Sequence, residues 1–169
     1  PSKSVRDILI EYGRFFFGPD IAIQSAEGIM GLEQNWIGPL KSNGSVETTY
    51  AFWKDLEKSN PQLSKNWRWL LLQLRADYDT YIRRRVLSEK RLEKEANKIL
   101  ESIDELGIEK SMNLALNKIK QPDSNPSETD LKANIVNYCE DLFNIIGLQT
   151  SVELYQASNS QRGCILDFV

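Results

Sequence analysis

Residues 64–104 read SKNWRWLLLQLRADYDTYIRRRVLSEKRLEKEANKILESID. Trp67, Leu71, Leu74, Tyr78, Tyr81, Arg85, Glu89, Leu92, Ala96, Ile99 and Ile103 recur every three or four positions, the spacing of one face of an α-helix. Neither Gly nor Pro interrupts the run. The spacing predicts one helix of about forty residues, ~60 Å long at 1.5 Å per residue, which is longer than a compact domain of this size is wide. Its first half is aromatic and apolar, and from Ser88 to Lys98 it is mostly charged. The charged half is therefore expected to be exposed on most faces and to pack on a single antiparallel neighbour.

The flanking sequence predicts five further helices. Ser4-Val5-Arg6-Asp7 has capping-box chemistry with Asp in place of Glu or Gln. It opens a helix that reaches about Phe17, where Gly18-Pro19 ends it. A second helix is expected from Pro19, well suited to a first helical position, to Trp36. It carries Ser25, Gly28 and Gly31, small residues that let another helix or a ligand approach closely. Ser45 can cap a third helix to Lys58, with Val46, Tyr50, Trp53 and Leu56 as its buried stripe. Beyond Gly107 come a short helix over Glu109–Lys120 and, after a polar loop, a last one from Thr129 to Ser158 with Gly147 as a kink. No stretch alternates long enough to form a strand. The expected fold is all-α: about six helices in an irregular bundle around one very long central helix at 64–104, forming a single domain over residues 1–169. Trp53, Trp67, Leu71, Leu74, Tyr78, Leu142 and Ile146 are its expected core.

Composition narrows the function. A net charge of −3 and one basic run, Arg83-Arg84-Arg85, flanked by acids, argue against nucleic acid as a partner. No apolar run approaches the ~20 residues of a membrane span. The chain opens on Pro1 and closes on the apolar stretch Cys164-Ile165-Leu166-Asp167-Phe168-Val169, which we read as a segment of a larger protein. Cys139 shares a helical face with Ile135, Leu142 and Ile146 and is expected to be buried; a bridge to Cys164 would pin the tail to the last helix.

Histidine is absent, which removes the commonest general base and most zinc sites. No metal and no cofactor is expected, and no phosphate-binding glycine loop is present. A glycosidase-type pair needs two carboxylates about 5 to 9 Å apart in a cleft. Asp77 and Asp79, two apart on a helix, do not face each other; Asp79 is expected to pair with Arg83. Glu27 and Glu33 lie in a more apolar setting with nothing to pair them. No catalytic residue is therefore assigned. Asn35-Trp36 and Asn66-Trp67-Arg68 place amide, indole and guanidinium groups side by side at helix ends. Sugar rings stack on indoles, and amides and guanidinium groups bond hydroxyls. These five residues are the candidate carbohydrate contacts; the alternative is that the tryptophans are core anchors. Tyr78 and Tyr81, a turn from Arg84 and Arg85, admit the same two readings. Asn43-Gly44-Ser45 matches a glycosylation sequon and equally a turn.

Four phrases carry a resemblance: Glu11-Tyr12-Gly13-Arg14-Phe15-Phe16-Phe17-Gly18-Pro19, Gly31-Leu32-Glu33-Gln34-Asn35-Trp36, Asn66-Trp67-Arg68-Trp69 and Leu74-Arg75-Ala76-Asp77-Tyr78-Asp79. From Ser4 to Gln161-Arg162-Gly163 the chain resembles the helical region that follows the TIM barrel in bacterial glycoside-hydrolase-like proteins of the α-glucuronidase and β-hexosaminidase kind. The resemblance implies catalytic acids upstream, at the ends of barrel strands, and none here. It implies an accessory domain whose partner is the neighbouring catalytic domain of the same polypeptide, which buttresses the barrel and lines its carbohydrate cleft. A periplasmic or extracellular setting would follow. The docking face is expected to involve Phe15 to Phe17 and the arm from Gln161 to Val169. The competing reading is a free-standing helical module that binds another protein in an apolar groove.

Overall fold

The computed structural model describes residues 2–124 and 127–150, and all regular structure among them is helical. Six helices have twelve or more residues: α1 (Val5–Phe16), α2 (Ala22–Gln34), α3 (Ser45–Ser59), α4 (Trp67–Glu101), α6 (Ile108–Ile119) and α8 (Thr129–Ile146). Two single turns, α5 (Ile103–Leu106) and α7 (Gln121–Ser124), bracket α6. The fold is all-α with one long central helix, as the periodicity of 64–104 requires.

α4 has 35 residues and is ~52 Å long. It is shorter than expected at both ends, for local reasons. Ser64 does not cap it; the Asn66 side chain accepts from the N–H groups of Arg68 and Trp69 at 3.1 and 3.3 Å. Asn66 thereby satisfies two donors that a helix start leaves open. At the far end Ser102 leaves helical geometry (φ −91°, ψ 22°), and α5 follows as a separate turn. The other caps also divide. Ser4 accepts from the Asp7 N–H as expected, whereas at α3 it is the Asn43 side chain that accepts from the Ser45 N–H at 2.9 Å. Pro19 opens a short 3-10 turn leading into α2, and α2 stops at Gln34, before Trp36. α8 ends at Ile146 because Gly147 takes the left-handed conformation, φ 68°. Gly147 is thus a stop and not a kink. Residues 147–150 of the expected last helix are not helical, and its remainder from residue 151, with Val152 and Tyr155, lies outside the described residues, as do Cys164 and the arm from Gln161 to Val169.

Small residues set the approach of the first three helices. A Cβ on Gly13 would meet the Ser25 side chain and the Ala22 backbone. One on Gly28 would lie 2.6 Å from the Trp53 ring, and the Gly28 carbonyl accepts from Trp53 Nε1 at 3.1 Å. The glycines of α2 therefore serve close helix packing. α8 runs antiparallel to the first half of α4: Lys65 pairs with Asp141 near one end and Arg84 with Glu128 near the other.

Two cores flank α4. On one side Leu70, Leu74 and Tyr81 pack with Leu131, Ile135, Cys139 and Leu142 of α8. On the other, Trp69 and Ala76 pack with Phe17, Ile21, Leu32, Trp53 and Leu63, where Phe17, Trp69 and Trp53 form successive edge-on contacts 5.3 Å between centroids. Of the expected core, Trp53, Leu74 and Leu142 are buried. Trp67, Leu71 and Tyr78 are half-buried at its rim. Ile146 is 41% exposed, because the helix stops there and Leu148, beyond the turn, packs inward instead.

Among the described residues the second half of α4 packs on α6 as its one antiparallel helix, the arrangement its charge predicts. Ser111 and Ala115 of α6 and Leu92 and Ala96 of α4 are buried, and Lys118 pairs with Glu95 at 3.0 Å.

Candidate functional site

Polar groups inside the first half of α4 form two separate sets. In one, Lys54 of α3 reaches Asp77 Oδ1 at 2.9 Å, Glu57 Oε2 at 2.7 Å and the Tyr138 hydroxyl at 2.8 Å, and Tyr138 in turn donates to Glu57. Asp77 is fully buried. Burial raises its carboxyl above the ordinary 3.8, against the pull of the Lys54 charge. Burial works the other way on Lys54, but Asp77, Glu57 and Tyr138 outweigh it and hold the ammonium above its ordinary range. Burial and the bond to Glu57 push the Tyr138 phenol up as well. A lysine held as the ammonium and a tyrosine held as the neutral phenol both keep their protons and are poor general bases. The cluster ties α3, α4 and α8 together.

The second set holds Asn35. Its amide donates to Asp79 Oδ2 at 3.0 Å and its carbonyl oxygen accepts from Ser45 Oγ at 3.3 Å. Asp79 is clasped by Arg75, one turn before it, at 2.7 and 3.1 Å. The expected Asp79–Arg83 pair does not form: Arg83 donates to the Asn43 carbonyl at 3.1 Å and approaches Glu47. Burial raises the Asp79 carboxyl despite Asn35 and Arg75. Asp77 and Asp79 thus sit in different networks, as their spacing on a helix requires, and no paired-carboxylate cleft arises from them. Glu27 is bonded by Arg6 at the surface, and Glu33 is exposed.

The five candidate carbohydrate contacts fall at two places about 15 Å apart along α4. Asn35 is fully buried, so its amide faces protein and not solvent. Trp36 beside it is 65% exposed, with the Arg75 guanidinium stacked 3.9 Å from its ring centroid. At the start of α4, Asn66 caps the helix and donates to the Phe16 carbonyl at 2.8 Å. Arg68 lies over both Phe16 and Trp67, at 3.9 and 4.0 Å. Two of the five are thus bound into backbone or buried partners, and three carry accessible aromatic or guanidinium surface. A hollow of about 180 Å³ between α2 and α3, lined by Glu27, Gly28, Gly31, Thr48, Thr49 and Phe52, is smaller than the ~300 Å³ at which ligand pockets begin.

The basic run is spent inside the fold. Arg84 clasps Glu47 through Nε and Nη2 and reaches Glu128 with Nη1, while Arg85 pairs with Glu89. Among the described residues no group of three or more His, Cys, Asp and Glu could hold a metal ion, and no helix is long and apolar enough to cross a membrane.

The least expected surface is on α6. Its small residues face α4, which turns Ile108, Met112, Leu116 and Ile119 outward, 68, 59, 48 and 57% exposed. The sequence puts Met112, Leu116 and Ile119 on one side of this helix but does not say that the side is open. The signal for it was present in Ser111 and Ala115, four apart: two small residues suit the tighter contact, leaving the larger ones outside.

No family model, no curated protein and no solved structure matches this chain.

Proposed function

We propose that this chain is a non-catalytic helical docking module, in which a packed base of α1 to α3, α8 and the first half of α4 holds out a two-helix arm that binds another protein surface. The exposed stripe Ile108–Met112–Leu116–Ile119 carries the reading. Four large apolar side chains at helical spacing offer on the order of 400 Å² in one place, within the roughly 300–600 Å² of the largest patch on a typical monomer, which is often functional. The interior supports it, since each buried carboxylate, lysine and tyrosine described above is held by structural partners. The test is Met112→Glu with Leu116→Glu in the native polypeptide, followed by size-exclusion of extracts of the producing cell. The expected outcome is a shift from a larger complex to the bare polypeptide, with the denaturation midpoint unchanged. A lowered midpoint would show that the stripe is packed within the folded chain, and would refute the docking role.

A second reading keeps the glycoside-hydrolase-like setting, with the docked partner a catalytic barrel in the same polypeptide. Phe15, inside the opening motif, is 82% exposed, while Phe16 is half-buried and Phe17 buried. Phe15 and Trp36 would supply that contact and an edge of the sugar cleft. Oligosaccharides from a glucuronic-acid and hexosamine panel should then quench Trp36 emission, and Trp36→Phe should abolish the response. An unchanged spectrum across the panel would remove this reading.

A further inference from the structure

Resting on the docking reading, we infer that the surface bound by α6 is α6 of a second copy of this chain, antiparallel, about a twofold axis beside residue 114. The argument is the self-complementarity of one helix face. On a 100° wheel Ile108, Met112, Leu116 and Ile119 span one arc, and Glu109 and Lys120 lie along its edge, both exposed. Placed antiparallel on its own image, the helix brings Ile108 onto Ile119, Met112 onto Leu116, and Glu109 onto Lys120. All three pairs share a midpoint at residue 114 to within half a residue. An isologous contact demands this property: the residue that i touches must touch i in return. A parallel twofold arrangement would put the two copies of this edge on opposite sides of the contact, leaving Glu109 and Lys120 without each other, and would also align the two helix dipoles. The stripe is not used in holding α6 to α4, since that anchoring uses Ser111, Ala115 and Lys118 on a different arc. Two stripes together bury less than the ~1,200 Å² of a standard interface, which places the pair in the weak, concentration-dependent class.

Sedimentation equilibrium of the whole chain from about 1 to 500 µM tests this, with an expected monomer–dimer equilibrium of Kd on the order of 10–100 µM. Met112→Glu with Leu116→Glu should be monomeric throughout at unchanged helicity. Glu109→Lys alone and Lys120→Glu alone should each weaken the dimer about fivefold, a change in scale with exposed ion pairs used twice by symmetry. The double swap, Glu109→Lys with Lys120→Glu, should return Kd to within about twofold of the original. A wild-type chain that stays monomeric at 500 µM, or a dimer that the double swap weakens further, overturns the self-pairing. If the wild type is monomeric while the Met112/Leu116 variant keeps its denaturation midpoint, the partner is a different protein and the docking reading survives. If that variant loses its fold, both fall together.

Discussion

Between Trp67 and Val86, α4 is buried on two sides, by α8 on one and by the α1–α3 layer on the other. Between Leu87 and Glu101 it packs on α6, and its buried residues are Leu92 and Ala96. The same helix thus serves as the core of a globule over its first half and as one leg of a hairpin over its second. The difference lies in side-chain volume. The first half carries Trp67, Trp69, Tyr78 and Tyr81, enough bulk to fill space on two faces; the second carries no aromatic residue and faces helix α6 through alanine and serine. Stability should follow the same division.

The largest expected effect is at the buried ion pair of the base. Lys54→Met leaves the fully buried Asp77 without its counter-charge, and should cost ~3–5 kcal/mol at pH 7. The pH dependence has a definite sign. A carboxyl whose folded pKa is raised contributes stability that is full below its unfolded value, near 3.8, and lost as pH rises through the folded one. Removing Lys54 raises the Asp77 carboxyl further, so the penalty should shrink as urea titrations are moved from pH 7 toward pH 4. A penalty independent of pH would mean that Asp77 is not the group left stranded.

A matched pair of truncations sharpens the comparison directly. Leu74→Ala and Leu92→Ala remove the same side chain from the same helix at 6 and 5% exposure. Leu74 belongs to the large cluster shared with α8, among Leu70, Tyr81, Leu131, Ile135 and Leu142, and should cost toward the upper end of ~2–5 kcal/mol, with Leu92, free to collapse onto a single neighbour, at the lower end. Equal midpoint shifts in guanidinium would show that the arm is as tightly packed as the base.

The smallest effect concerns the two ends of α4. Asn66→Ala removes a cap that accepts two backbone N–H groups and should cost ~1 kcal/mol. Ser102→Ala removes one bond to the Lys98 carbonyl at an end already turning away, and should fall within ~0.5 kcal/mol. Thermal melts of the two variants compare them.

Much of the fold was legible because helical period survives in a single sequence: the six long helices, the unbroken central one and the lone neighbour of its charged half follow from spacing and charge. Boundaries were less legible, since Asn66 outcompetes Ser64 as a cap only once its amide also reaches the Phe16 carbonyl, fifty residues away. A single apolar stripe on α4 hid how much more of the helix is buried, because the residues buried outside that stripe include Gln73, Asp77, Asp79 and Thr80, polar side chains that look solvated until Trp53, Lys54 and Asn35 are placed beside them. The candidate contacts met the same obstacle. Asn35 and Trp36 are adjacent in sequence, yet one points into the fold and the other out of it, a distinction fixed by where α2 stops. The open face of α6 depended on which of two faces met α4, which spacing alone leaves undecided.

The aromatic content of the chain also decides what a spectrometer sees. All four tryptophans, at 36, 53, 67 and 69, belong to the base, and no Trp, Tyr or Phe occurs from residue 82 to 137. Emission and near-ultraviolet dichroism therefore report the edge-packed Trp53–Trp69 pair and its surroundings, and are blind to the arm. Far-ultraviolet ellipticity counts peptide groups and sees both. If heating frays the arm before the base gives way, the two signals will separate, the ellipticity falling first at constant emission; coincident curves would instead show one cooperative unit. The chain carries a built-in, one-sided optical label, so the coupling between its two halves can be measured without attaching a dye.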